Sequence, residues 1–311
     1  MYACSPKWKD DWISKENLQR ILIQLSGKIE ENPFGPKNVG INSGLHFTGG
    51  EPFLNFDLLL KAIEMADRLG IPSIFVETNC FWCTDEKTTR QKLKQLKNAG
   101  LDGILISVNP FILERVPFER TQRAIEISEE VFGRNLMVYQ DYFYRQFKSL
   151  SLRDTLHFEE YLRSYSSNLE HVELIPMGRV PYELGYLYRK YPAKQFFGES
   201  CMWELTRNWH VHVDNYCNYM TGYCGGISLG DARGLDVILR EGVDLDERPI
   251  LCSLVTDLEK LYGFSVREFG YQEPSDGYVS KCHFCLDMRK HIVGKTDEFK
   301  ELKPREFYNH L

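Results

Sequence analysis

The feature that most limits what this chain can fold into is a regular alternation, over its first two thirds, of short apolar runs and amphipathic stretches. Gly44-Leu45-His46-Phe47-Thr48 reads as a buried strand ending at Gly49-Gly50. Residues 58–69 have helical periodicity and stop at Gly70, a residue suited to a helix C-terminus. Strands at 73–77, 104–108, 136–143 and 172–175 follow, with helices at 86–98, 120–132, 155–166 and near 182–190 between and after them. Near-continuous apolar strands separated by helices mean parallel β-structure with covered faces. Five strands are legible in this pattern, fewer than the eight of a closed barrel. The expectation is α/β: a partial parallel barrel or an open doubly wound sheet.

The composition changes near Phe196. Beyond it come an alternating strand at 209–214, glycine-rich turns and six of the nine cysteines. A boundary at about 195 is therefore expected, with 1–195 as the α/β body and 196–311 as a small Cys-rich domain. The chain is 43% hydrophobic and 26% charged, with a net charge of -6 spread along its length. That balance argues against a nucleic-acid binder, which needs a basic face to neutralise phosphates. No run approaches the ~20 apolar residues of a membrane span, and residues 1–7 do not read as a secretory signal. A cytoplasmic location is expected. In a reducing compartment, cysteines crowded at one end point to a metal or cluster rather than to disulfides.

The sharpest local motif is Thr48-Gly49-Gly50-Glu51-Pro52, at a strand end and before a helix. Glycines there let a ligand approach the backbone, Glu51 offers a carboxylate to an ammonium group, and Pro52 suits a helix start. The plainer reading is a turn. It is not a phosphate loop, because neither Gly-rich nucleotide pattern is present.

Residues 44–55, Gly-Leu-His-Phe-Thr-Gly-Gly-Glu-Pro-Phe-Leu-Asn, resemble the second-strand motif of radical S-adenosylmethionine (radical SAM) enzymes. Glu77-Thr78-Asn79, Ser107-Val108-Asn109 and Pro176-Met177-Gly178-Arg179 follow in the order of that family's other strand-end contacts. The resemblance covers roughly residues 40–180. It implies a partial (βα)6 barrel and S-adenosyl-L-methionine held by Gly49, Gly50, Glu51, Pro52, Thr78, Asn79, Ser107, Asn109, Gly178 and Arg179. It also implies reductive cleavage of that cofactor at a [4Fe–4S] cluster, giving a 5′-deoxyadenosyl radical that abstracts hydrogen from a substrate. The reductant would be of the flavodoxin or ferredoxin type.

The family's Cys-x-x-x-Cys-x-x-Cys loop is absent from this sequence, in which Cys4 is the one cysteine before residue 80. Truncation that removes the loop and the first βα unit is the favoured reading, and a degenerate member is the other. In either case the chain as given is expected not to cleave S-adenosylmethionine.

The C-terminal part resembles the auxiliary-cluster extensions, SPASM or twitch domains, of the same enzymes. Cys201, Cys224, Cys282 and Cys285 are the implied ligands of one auxiliary [4Fe–4S] cluster, with Cys217 as a fifth candidate. Zinc is the alternative, since four thiolates suit it equally. Relatives with such domains modify peptides or proteins, which suggests a peptide or protein substrate. A non-catalytic SAM- or peptide-binding remnant and a zinc-stabilised scaffold remain the rival functions. Cys80-Phe81-Trp82-Cys83 is a second Cys-x-x-Cys, read first as two buried or semi-exposed thiols in a loop and otherwise as a redox or ligand pair near the active site.

Overall fold

The computed structural model describes residues 5, 7–171, 175–222 and 224–311. It divides into two compact units: residues 18–174, and residues up to Asn17 together with Ile175–Leu311. The division falls upstream of the composition change near 196, because the aromatic segment after Ile175 packs with the C-terminal helices. Ala193 and Phe196, for example, belong to the core built by Leu258, Phe284 and Met288.

Helix α1 (Lys15–Leu25) buries Leu18, Ile21 and Leu22. The first unit then runs β1 (His46–Phe47), α2 (Phe56–Arg68), β2 (Phe75–Thr78), α3 (Glu86–Asn98), β3 (Gly103–Ser107), α4 (Pro110–Leu113), α5 (Phe118–Phe132), β4 (Leu136–Tyr139), α6 (Asp141–Ser149) and α7 (Phe158–Tyr165). The four strands form one parallel sheet in sequence order. All five residues of β3 are buried, as expected of a central parallel strand covered on both faces. Helix α2 buries Leu59, Ala62, Ile63 and Ala66, a spacing that places one apolar stripe against the sheet. Gly100 ends the turn after α3 with φ +110°, and a Cβ there would meet Asp67 Cβ at 2.4 Å, so only glycine fits.

Three expectations change. The strand expected over 136–143 stops at Tyr139, because residues 141–149 carry the buried pair Phe143 and Phe147 at helical spacing. The helix expected near 182–190 is the single turn α8 (Val180–Glu183) followed by a short 3-10 turn, Gly185–Leu187. The strand expected over 172–175 falls largely on 172–174, outside the described residues, as do Met1 and Cys4. Among the described residues the parallel sheet therefore has four strands.

After α8 and α9 (Met202–Thr206), the second unit has a small antiparallel sheet of β5 (Val211–Val213), β6 (Asn218–Thr221) and β7 (Gly230–Asp231). The rest is helical: α10 (Leu235–Glu241), α11 (Pro249–Thr256), α12 (Leu258–Phe269), α13 (Lys281–Val293) and α14 (Arg305–Asn309). Helix α13 gives no amphipathic signal because it is buried nearly all round, with eight of its 13 residues inside. No helix among the described residues is long and apolar enough to cross a membrane.

Candidate functional site

Within the first unit, the residues after β1, β2 and β3 meet at the C-terminal edge of the sheet, where parallel α/β folds build sites. The turn at 48–50 is exposed. A Cβ added at Gly49 or Gly50 would meet nothing within 4 Å. The φ of +146° favours glycine at position 49, whereas crowding inside the protein does not require it at position 50. Two adjacent glycines with open space at their Cβ positions let a ligand approach the turn closely.

Glu51 does not point into that space. It is 5% exposed and turned inward. The Asn79 N–H donates to its Oε2 at 2.8 Å, while Thr78 Oγ1 (3.0 Å) and the Phe53 N–H (3.2 Å) donate to Oε1. The carboxylate thus caps the 3-10 turn at Pro52–Asn55 and ties the Gly-Gly turn to the end of β2. Burial pushes its pKa up to about 7 even though the three donors pull the other way. Glu51 thus spends hydrogen-bonding capacity on its own chain.

The carboxylate nearer the mouth is Glu77, which the sequence reading quoted but did not select. It accepts from Ser107 Oγ at 2.5 Å and Thr48 Oγ1 at 3.0 Å, and His46 Nε2 lies 3.4 Å away. Burial raises its pKa, but the adjacent His46 imidazole and the Ser107 hydrogen bond outweigh that and hold it at about 2. About a third of its side chain is exposed. Two carboxylates on one sheet edge are thus pushed apart, one kept anionic at neutral pH and one titrating near it. The signal that would have found Glu77 is its place in the outgoing register, one residue before Thr78 and paired with Leu105 on β3.

Thr78 is 1% exposed and also accepts the Trp82 Nε1–H at 2.9 Å and the Cys80 N–H at 3.0 Å. Asn79 and Asn109 spend their side-chain oxygens on the N–H groups of Phe81 and of Phe111 and Ile112. They shape turns. Cys80 and Cys83 are fully buried, and burial drives the Cys80 thiol upward. Such thiols are poor nucleophiles, which matches the plainer reading of that motif.

Gly178 and Arg179 belong to the second unit and are described with it. Arg179 pairs with Glu183 at 2.7 Å. Gly178 lines a cavity of about 70 Å³ together with Cys201, Cys224, Cys282 and Cys285. Since one water needs about 10–15 Å³ on this measure, the space suits a body of several atoms rather than a bare ion. Cys217, the fifth candidate, is buried but is not among the lining residues.

The four thiols come from three separate stretches. Cys201 precedes α9, Cys224 sits in the turn after β6, and Cys282 and Cys285 lie on the first turns of α13. Ser280 caps α13 through the His283 N–H at 3.1 Å. Gly226, at φ +77°, lets the Cys224 turn pass against Phe307 and Tyr308, where a Cβ would come within 2.6 Å of the Phe307 ring. Burial raises the pKa of the Cys201 thiol, and raises those of Cys224 and Cys282 to about 11 and about 12. Loading a metal there would release protons. Among the described residues no group of three or more His, Cys, Asp or Glu side chains is drawn together around a single metal-ion position.

Sequence reading missed Arg289, Arg207 and Glu204, which line the same cavity. Arg289 is i+4 from Cys285, and the spacing becomes informative only once 281–293 is known to be helical. No family model and no curated protein matches the chain.

Proposed function

We propose that this chain is the cofactor-holding body of a radical S-adenosylmethionine-type enzyme, with a partial parallel barrel and an auxiliary iron–sulfur site in its second unit. The observation that carries the reading is the turn at 48–52. There is open space where side chains would stand on Gly49 and Gly50, at the C-terminal edge of a parallel sheet, beside Glu77 and tied to the end of β2 through Glu51. Exposed peptide groups at 48–50 and the Glu77 carboxylate suit the amino-acid end of S-adenosylmethionine, whose ammonium seeks acceptors. In a loaded enzyme the cofactor supplies the radical chemistry on reduction. The residues of this chain bind and orient it, while the rings of Phe53 and Trp82, stacked at 4.0 Å, brace the turn from behind. Reductive cleavage needs a Cys-x-x-x-Cys-x-x-Cys loop that these 311 residues do not contain, so the test is binding.

In the second unit, four cysteines line one cavity of several water volumes. Tetrahedral zinc holds four sulfurs at about 2.3 Å from a single centre. A [4Fe–4S] cluster takes its four thiolates at separate corners. The arrangement favours the cluster over zinc.

Titration calorimetry with S-adenosylmethionine tests the reading at the sheet mouth. The wild-type chain is expected to bind, and Gly50→Leu to bind at least tenfold more weakly while remaining folded, since its side chain enters open space. Equal binding by both proteins, or none by the wild type, would discard the proposal.

A further inference from the structure

Arg289 is 5% exposed, and its guanidinium donates Nε–H to Cys285 Sγ at 3.2 Å. Its Nη1 donates to the Gly225 carbonyl at 3.0 Å and to Tyr308 Oη at 2.7 Å. Among the described residues it makes no ion pair with a carboxylate. A buried cation without a counter-charge is costly, by several kcal/mol in real proteins, so the site must supply negative charge from elsewhere. Tyr308 is not the source, because its own O–H is donated to the Gly226 carbonyl at 2.5 Å and the phenol is therefore neutral. The Gly225 carbonyl is neutral as well. Of the other described groups lining the cavity that can carry negative charge, the Glu204 carboxylate is paired with Lys281, which leaves the cysteine sulfurs, with Cys285 in direct contact. Lys281, whose Nζ reaches Glu204 at 2.8 Å and the Ser200 carbonyl at 3.0 Å, already has its counter-ion. Arg289 has none.

We infer that Arg289 is the built-in counter-charge of the four-cysteine site, a positioning residue that stabilises a thiolate-ligated metal centre and sets the reduction potential of a cluster held there. The inference rests on reading the four cysteines as a metal site. One-electron reduction adds a negative charge to the site without making or breaking a bond, and a buried guanidinium hydrogen-bonded to a ligand sulfur favours the more negative state.

The test uses the full chain, purified anaerobically, as wild type, Arg289→Gln and Arg289→Lys. One arm reconstitutes each with ferrous iron and sulfide, measures iron and sulfide content, and titrates the cluster against dithionite by electron paramagnetic resonance. The other measures Co²⁺ affinity from thiolate-to-cobalt absorbance. Arg289→Gln is expected to shift the oxidised-to-reduced ratio at a fixed potential at least tenfold toward oxidised, about 59 mV for one electron. It should also bind Co²⁺ at least tenfold more weakly. Arg289→Lys keeps the charge and should stay within threefold of wild type in both arms. An Arg289→Gln protein that loads, titrates and binds Co²⁺ like wild type would overturn the inference, as would an Arg289→Lys protein that shifts tenfold. If Arg289→Gln does not fold, Arg289→Lys alone decides on the same threshold. A wild type that binds Co²⁺ but assembles no cluster rejects the iron–sulfur reading and leaves the cobalt arm to judge Arg289. A wild type that takes neither metal rejects both.

Discussion

The two candidate sites balance their polar groups in opposite ways. At the sheet edge of the first unit, Glu51 has three donors from its own chain and Glu77 has Ser107, Thr48 and His46 around it. Both carboxylates there are thus held by donors of the chain itself. In the second unit, four buried or half-buried thiols and a buried guanidinium share a cavity, and no carboxylate neutralises the cation among the described residues. The difference teaches what each site asks of a ligand: the first can be a preformed cradle, whereas the second gains stability from whatever it binds.

Removing the ligands of the second site should give the largest effect. Cys282→Ser with Cys285→Ser is expected to abolish iron or cobalt uptake and to cancel the rise in melting temperature that metal loading gives the wild type. Structural metal sites contribute on the order of 10 kcal/mol at neutral pH. Calorimetric scans of loaded and stripped protein check this, and a stripped wild type as stable as the loaded one would erase the contrast between the sites.

Next in size, Glu51→Leu leaves the buried Asn79 N–H, Phe53 N–H and Thr78 hydroxyl without their acceptor. At roughly 1–3 kcal/mol for each stranded group, a loss of about 3 kcal/mol or more is expected. Urea unfolding followed by the near-ultraviolet signal of Trp82, which donates to the same Thr78, reads it.

The same carboxylate makes the first site pH-sensitive in a defined direction. With its pKa raised from 4.5 to about 7, the native state binds more protons than the unfolded chain between those values. Stability should therefore fall as pH rises from about 4.5 to 7 and then level off, by at most about 3 kcal/mol. Glu77, held at about 2, acts the other way: its contribution is present above pH 4.5 and is lost as pH falls toward 2. Its size is smaller because a third of the side chain is in water. Glu51→Gln should flatten the upper limb and leave the lower one, as measured by urea midpoints across pH.

The smallest effect tests the frame of the second site. Ser280→Ala removes the cap of α13 and should cost about 1 kcal/mol, with a modest loss of metal affinity because Cys282 and Cys285 sit in that first turn. Affinity unchanged despite the lost cap would mean that the helix start does not position the thiols.

Much of this was legible in the residues alone. The apolar period marked the strands around Phe47, Val76 and Leu105, and Gly70 marked the end of the helix that follows the first of them. The motif at 48–52 announced a turn at a strand end, and the resemblance to auxiliary-cluster domains implied four cysteines that line one cavity. Such signals are local: period, cap and spacing are properties of a few consecutive residues. Only the tertiary structure decided that Glu51 turns inward while Glu77 faces the mouth, because the two differ by which neighbours donate to them across strands. It also placed Arg289 against Cys285, on a helix too thoroughly buried to show a face. Charge compensation in a folded interior depends on groups far apart in sequence, and no window of residues carries that information.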